Sequence, residues 1–150
     1  MKNLIVTLLF LTGLSIQAQE PNTRITFDPY VALSVSASSH SAYPSIEGGV
    51  CSKNMAVAID FGRGDFNRAL TQSDAISNYF WEAKFSPYYD LGSFRGSVFG
   101  GYGGYIGTKH YFYDFGVGVS YTVESISYGV AFNNWDGVNY ISPSLTYNFN

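Results

Sequence analysis

The sequence predicts an all-β protein, an eight-stranded antiparallel transmembrane up-and-down β-barrel. Three observations carry that expectation. Bulky apolar and small polar residues alternate with a period of two through most of the chain after Gln19, and no useful stretch keeps a helical period. Aromatic residues make up 18% of the chain, while Asp, Glu, Lys and Arg together reach 13%, about half the usual share. The aromatics also gather at the two ends of the alternating segments, with aliphatic residues between them.

The segment Met1–Gln19 serves export rather than the fold. Lys2 supplies a positive start, Leu4 to Leu14 an apolar run interrupted by Thr7, Thr12 and Gly13, and small Ala18 a site for a signal peptidase. The run is short for a membrane anchor, which needs about 20 apolar residues. The expected division is residues 1–18 as a cleaved signal peptide and 19–150 as the barrel.

Eight alternating segments follow. Their bulky faces read Val31, Leu33, Val35 and Ala37; then Ile46, Gly48 and Val50; then Met55, Val57, Ile59 and Phe61. The fourth gives Tyr79, Trp81, Ala83, Phe85, Pro87 and Tyr89, and the fifth Phe94, Gly96, Val98, Gly100 and Tyr102. Tyr111, Tyr113, Phe115, Val117, Val119 and Tyr121 form the sixth. Ile126, Tyr128, Val130 and Phe132 form the seventh, and Ile141, Pro143, Leu145, Tyr147 and Phe149 the last. No position on these faces carries a charge. The opposite faces are small and polar, as in Ala32, Ser34 and Ser36 or Gly116, Gly118 and Ser120. Among them sit six charges of both signs: Glu47, Asp60, Glu82, Lys84, Arg95 and Asp114.

Which face points inward decides the surroundings. A soluble barrel would enclose the bulky face, yet the interior of an eight-stranded barrel is just wide enough for side chains to fill. It cannot hold so many aromatics, and a coat of Gly, Ser and Ala is charge-poor for water. Inverted, both faces fit: bulk meets lipid and the small groups occupy a narrow lumen where the six charges can pair. A Lys or Arg facing lipid at mid-bilayer costs roughly 2–4 kcal/mol, which accounts for its absence there.

Aromatic placement points the same way. Phe27, Tyr89, Phe94, Tyr121, Tyr147 and Phe149 fall at one set of segment ends. Phe61, Tyr79, Trp81, Tyr102, Tyr111, Tyr113 and Phe132 fall at the other. Two aromatic girdles around an aliphatic band are what two membrane–water interfaces select. The connections sort likewise. Residues 52–54, 90–93 and 122–125 read as tight turns, whereas 64–78 is long and 104–110 and 133–137 are intermediate. The 38–42 link is short but belongs to the second side. Short turns on one side and longer loops on the other are usual in outer-membrane barrels.

On this pattern the chain resembles the small eight-stranded outer-membrane barrels, of the OmpX type and the membrane domain of the OmpA type. The ending Leu145-Thr146-Tyr147-Asn148-Phe149 is similar to the terminal signal read by the barrel-assembly machinery, although Asn150 follows the aromatic. The Gln17-Ala18-Gln19 junction looks like a Bacteroidetes export signal. The resemblance implies a cell outer-membrane location. It implies lipid and lipopolysaccharide as surroundings, the assembly machinery as a partner during biogenesis, and other outer-membrane proteins as neighbours.

Candidate chemistry is sparse. A net charge of -3 and a pI near 5.1 leave no basic patch for nucleic acid. One cysteine, Cys51, forms no internal disulfide and no cysteine-rich zinc site. His40, between Ser39 and Ser41 with Glu47 nearby, offers Ser, His and acid together, but Ala42 breaks the His-x-Ser spacing of deacylase barrels. Arg63-Gly64-Asp65 matches an adhesion tripeptide and is also ordinary turn chemistry. Asp136 gives the 133–137 connection one carboxylate, too few for calcium. The expected function is therefore non-enzymatic and free of cofactors: a structural or surface-interaction barrel with a filled, charge-paired lumen. An accessory subunit of a larger membrane complex and a lipid A-modifying enzyme stand as alternatives.

Overall fold

Alternation with a period of two becomes strands because successive side chains on an extended backbone point to opposite faces. The computed structural model describes residues 26–39, 42–63, 79–135 and 137–149. Residues 1–25, which include the expected export segment, His40, Ser41, Asp136 and Asn150 lie outside the described residues, as does the 64–78 connection with Gly64 and Asp65. The strands are β1 (Asp28–Ala37), β2 (Ala42–Cys51), β3 (Met55–Arg63), β4 (Tyr79–Leu91), β5 (Phe94–Tyr105), β6 (Tyr111–Val123), β7 (Ile126–Trp135) and β8 (Val138–Asn148). Each pairs antiparallel with the next in sequence, and β1 pairs with β8 from Tyr30↔Asn148 to Ala37↔Ile141. The expected eight-stranded up-and-down barrel is the observed one.

Carried once round the barrel, the register returns to β1 displaced by about ten residues. For eight strands that stagger corresponds to a tilt of roughly 40–45° and a lumen wide enough to leave space among small side chains.

The barrel has two unlike ends. At the turn end, residues 52–54, 92–93 and 124–125 join strands. Gly92 takes φ 65°, which glycine adopts without penalty, whereas Glu124 takes φ 55° with a full side chain. At the loop end the structure corrects two expected connections. β5 runs on to Tyr105, and β7 runs through Asn133 to Trp135, so only residues 136–137 separate β7 from β8. Asn134 Oδ1 accepts the Gly137 N–H at 3.1 Å and its amide donates to Asn139 Oδ1 at 2.8 Å, which closes that hairpin tightly. The contrast between short turns and longer loops is thus weaker than the sequence suggests.

The two faces of each strand separate by size. Val117, Ile59 and Leu33 project outward and stay half exposed, while Asp60, Glu82 and Asp114 face inward and are buried. Buried apolar side chains gather inside as two groups. Tyr43, Phe80, Tyr105, Phe112, Trp135 and Tyr140 meet at the loop end, and Cys51, Ala56 and Tyr88 at the turn end with Tyr30 against them.

Candidate functional site in the lumen

The register places three carboxylates side by side. Glu47 lies opposite Asp60 across β2–β3, and Asp60 lies opposite Glu82 across β3–β4. Like charges directly opposite one another repel, so this row needs a cation. Lys84, two residues along β4 and on the same face, supplies it. Its Nζ lies 2.8 Å from Asp60 Oδ2, 3.3 Å from Glu47 Oε2 and 3.7 Å from Glu82 Oε2.

Hydroxyl groups extend this cluster to both sides. Tyr30 donates to Glu47 Oε1 at 2.7 Å, and Ser45 donates to Asp60 Oδ2 at 3.1 Å while bonding Ser34 at 2.8 Å. A second arc runs from Asp114, whose Oδ1 accepts the Asn133 amide at 3.0 Å. Asn133 Oδ1 in turn lies 2.8 Å from Ser142 Oγ, which is 2.8 Å from Ser36 Oγ across the β8–β1 seam. Together the arcs line the lumen wall at mid-height.

Glycine makes room for this arrangement. A Cβ at Gly101 would overlap the Glu82 carboxylate, which lies across β5 toward Asp114 on β6. A Cβ at Gly62 would overlap the Phe80 ring.

Five of the six lumen charges singled out in the sequence therefore sit near one level, and Arg95 does not join them. Its Nε donates to Asp90 Oδ1 at 2.7 Å and its Nη2 to Asp90 Oδ2 at 3.1 Å, near the turn end. The guanidinium also covers the Tyr88 ring, with Cζ 3.7 Å from the centroid. Tyr88 itself donates its hydroxyl to the Ser52 carbonyl. The mid-lumen group is left with four carboxylates around one ammonium.

Above that group the six aromatics of the loop end pack together across the lumen as a cap. Phe80 packs edge-on to Trp135 at 4.6 Å between centroids, Phe112 lies 4.8 Å from Trp135, and Tyr43 5.4 Å from Trp135. The sequence reading missed this cap, because it described the inner face as small and polar. The signal was parity: Phe80 shares its face with Glu82 and Lys84, and Phe112 shares its face with Asp114. Below the cap the lumen is not filled throughout. A cavity of about 210 Å³ runs from Phe80 and Trp135 past Asp60, Glu82 and Lys84 to Arg95 and Asn148.

On the outside, Phe27, Tyr89, Phe94, Tyr121, Tyr147 and Phe149 ring the turn end, all exposed. Phe61, Tyr79, Tyr102, Tyr111, Tyr113 and Phe132 are exposed toward the loop end, with Trp81 half-buried edge-on to Tyr102. Phe85 and Phe115 depart from the purely aliphatic middle, since both flank Gly100 in mid-barrel. His110 packs its ring on Tyr105 beside the cap. Among the described residues, no group of three or more His, Cys, Asp or Glu side chains is placed to hold a metal ion.

No family profile and no curated protein matches the chain. Among solved structures, the crystal structure of Neisserial surface protein A is similar in fold, with a TM-score of 0.45 and 13% identity. The match covers 84% of this chain and 98% of that one.

Proposed function

We propose that this chain is a bacterial outer-membrane barrel that acts, without catalysis, as a structural or surface-interaction protein. One observation carries the membrane reading. Among the described outward-facing residues of the eight strands, Arg63 at the loop-end limit of β3 is the charged one, and the band beyond it is continuously apolar. Soluble monomers rarely expose contiguous apolar patches beyond a few hundred Å². Here the whole circumference is such a patch, and hydrocarbon is the solvent that suits it. A closed barrel also satisfies every backbone group between strands, as a bilayer requires.

In this reading, lipid and lipopolysaccharide surround the band and the barrel-assembly machinery inserts it. A capped lumen leaves the loop-end surface and the outer wall for contacts. The decisive experiment is gel mobility and solubility of the purified chain. The expected result is a dependence on detergent and a band that shifts on boiling. A chain that stays dissolved without surfactant and runs identically before and after heating overturns the reading. Non-catalysis predicts an unchanged lipid A mass spectrum when the gene is deleted.

A second reading, an accessory subunit of a larger membrane complex, is favoured by the aromatic surface of β4–β6. There Tyr102 stacks on Tyr111 at 5.8 Å and meets Tyr113 at 5.2 Å. Recovery of a stoichiometric partner after gentle extraction would favour it, and recovery as a lone monomer would reject it.

A further inference from the structure

Lys84 does not satisfy the carboxylates around it. Glu47, Asp60, Glu82 and Asp114 share the mid-lumen with this one ammonium, because Arg95 is held by Asp90. Two of their oxygens, Asp60 Oδ1 and Glu82 Oε1, are buried and receive no hydrogen bond from any described group. Both side chains are more than nine-tenths buried, at 3% and 2% exposure, and both line the lumen cavity. A buried carboxylate oxygen without a donor is costly, and so is an uncompensated buried charge.

We infer that the cavity beneath the aromatic cap is a binding site for a small primary ammonium ion, whose N–H groups would meet Asp60 Oδ1 and Glu82 Oε1. Several properties select this class. The orphaned atoms are acceptors, so the missing partner is a hydrogen-bond donor, and the charge imbalance makes it a cation. A hard metal ion is not favoured, since among the described residues no group of three or more His, Cys, Asp or Glu side chains is placed to hold one. Ala32, Ala58 and Phe99 line the same cavity among serine and threonine hydroxyls and offer apolar surface to a short alkyl tail. A volume of about 210 Å³ limits that tail to a few carbons. Arg95 marks the turn-end limit of the cavity but is neutralised by Asp90, so it leaves the approach from that end without a free positive charge.

The test uses the whole barrel in zwitterionic micelles, titrated at constant ionic strength with propylammonium, tetramethylammonium or sodium chloride. Backbone amide shifts by NMR report where each cation acts. The expected result is saturable binding of propylammonium that moves the amides of Gly101 and Lys84. Tetramethylammonium, which has no N–H, should not reproduce it. Glu82→Gln should weaken propylammonium binding by about tenfold or more. Should that variant fail to assemble, Asp60→Asn provides the same comparison, and the three salts on the unaltered barrel decide on their own. Absence of saturable binding, an equal response to sodium, or undiminished affinity in either variant overturns the inference. The site lies wholly inside the lumen, so its failure would leave the membrane reading, tested by solubility, unaffected.

Discussion

At the residue scale, Lys84 holds the lumen together because the strand register forces Glu47, Asp60 and Glu82 into one row. Removing one member of a buried ion group leaves the others uncompensated, at a cost of about 3–5 kcal/mol. Lys84→Met should destabilise the barrel by that order in urea unfolding from lipid vesicles. Asp60→Asn added to Lys84→Met should recover part of the loss, as expected for coupled neighbours. Arg95 forms the contrast. Its pair with Asp90 lies near the turn end, half-exposed on the Arg95 side and exposed on the Asp90 side, and its guanidinium also covers Tyr88, so Arg95→Met should cost about 1–2 kcal/mol in the same assay, less than Lys84→Met. Equal losses for the two cations would show that the mid-lumen row is not the structural centre described here.

At the scale of elements, β6 offers the sharpest test of what surrounds the barrel. Val117 is outward and 55% exposed in the middle of that strand. Val117→Arg should cost roughly 2–4 kcal/mol if the strand faces hydrocarbon and almost nothing if it faces water. The turn from β6 to β7 stores a smaller strain, since Glu124 holds φ 55° without being glycine. Glu124→Gly should be neutral or stabilising by up to about 1 kcal/mol, read from the unfolding midpoint.

These elements were legible because alternation survives in every strand: Tyr111 to Tyr121 can be assigned by parity alone. The ends of β5 and β7 were not. Gly104, Asn133 and Asn134 have low strand propensity and read as loop, yet pairing with β6 and β8 carries them into the sheet. Misplacing those ends hid Tyr105 and Trp135 from the inner face, and with them the cap. The lumen charges were visible as charges set among the residues of the small face. Nothing in one-dimensional spacing distinguishes Lys84, which reaches three carboxylates, from Arg95, which turns back to Asp90 five residues earlier.

At the scale of the whole molecule, the barrel combines an apolar exterior, a charged middle and a loop end packed with aromatic rings. Phe112 is among the most enclosed side chains of that seal. Phe112→Ala should cost about 3–5 kcal/mol in vesicle unfolding. In planar bilayers the unaltered barrel should pass no steady current, while Phe80→Ala combined with Phe112→Ala should produce discrete conductance steps. Current through the unaltered barrel would show that the aromatic cluster does not close the path.

The cap has a further consequence. Buried groups lie at both extremities, the six-ring stopper at the loop end and Tyr88 with Tyr30 at the turn end, so the interior is a chamber rather than a tunnel. A solute bound for the acidic middle passes one of these two groups, of which the loop-end one is the larger.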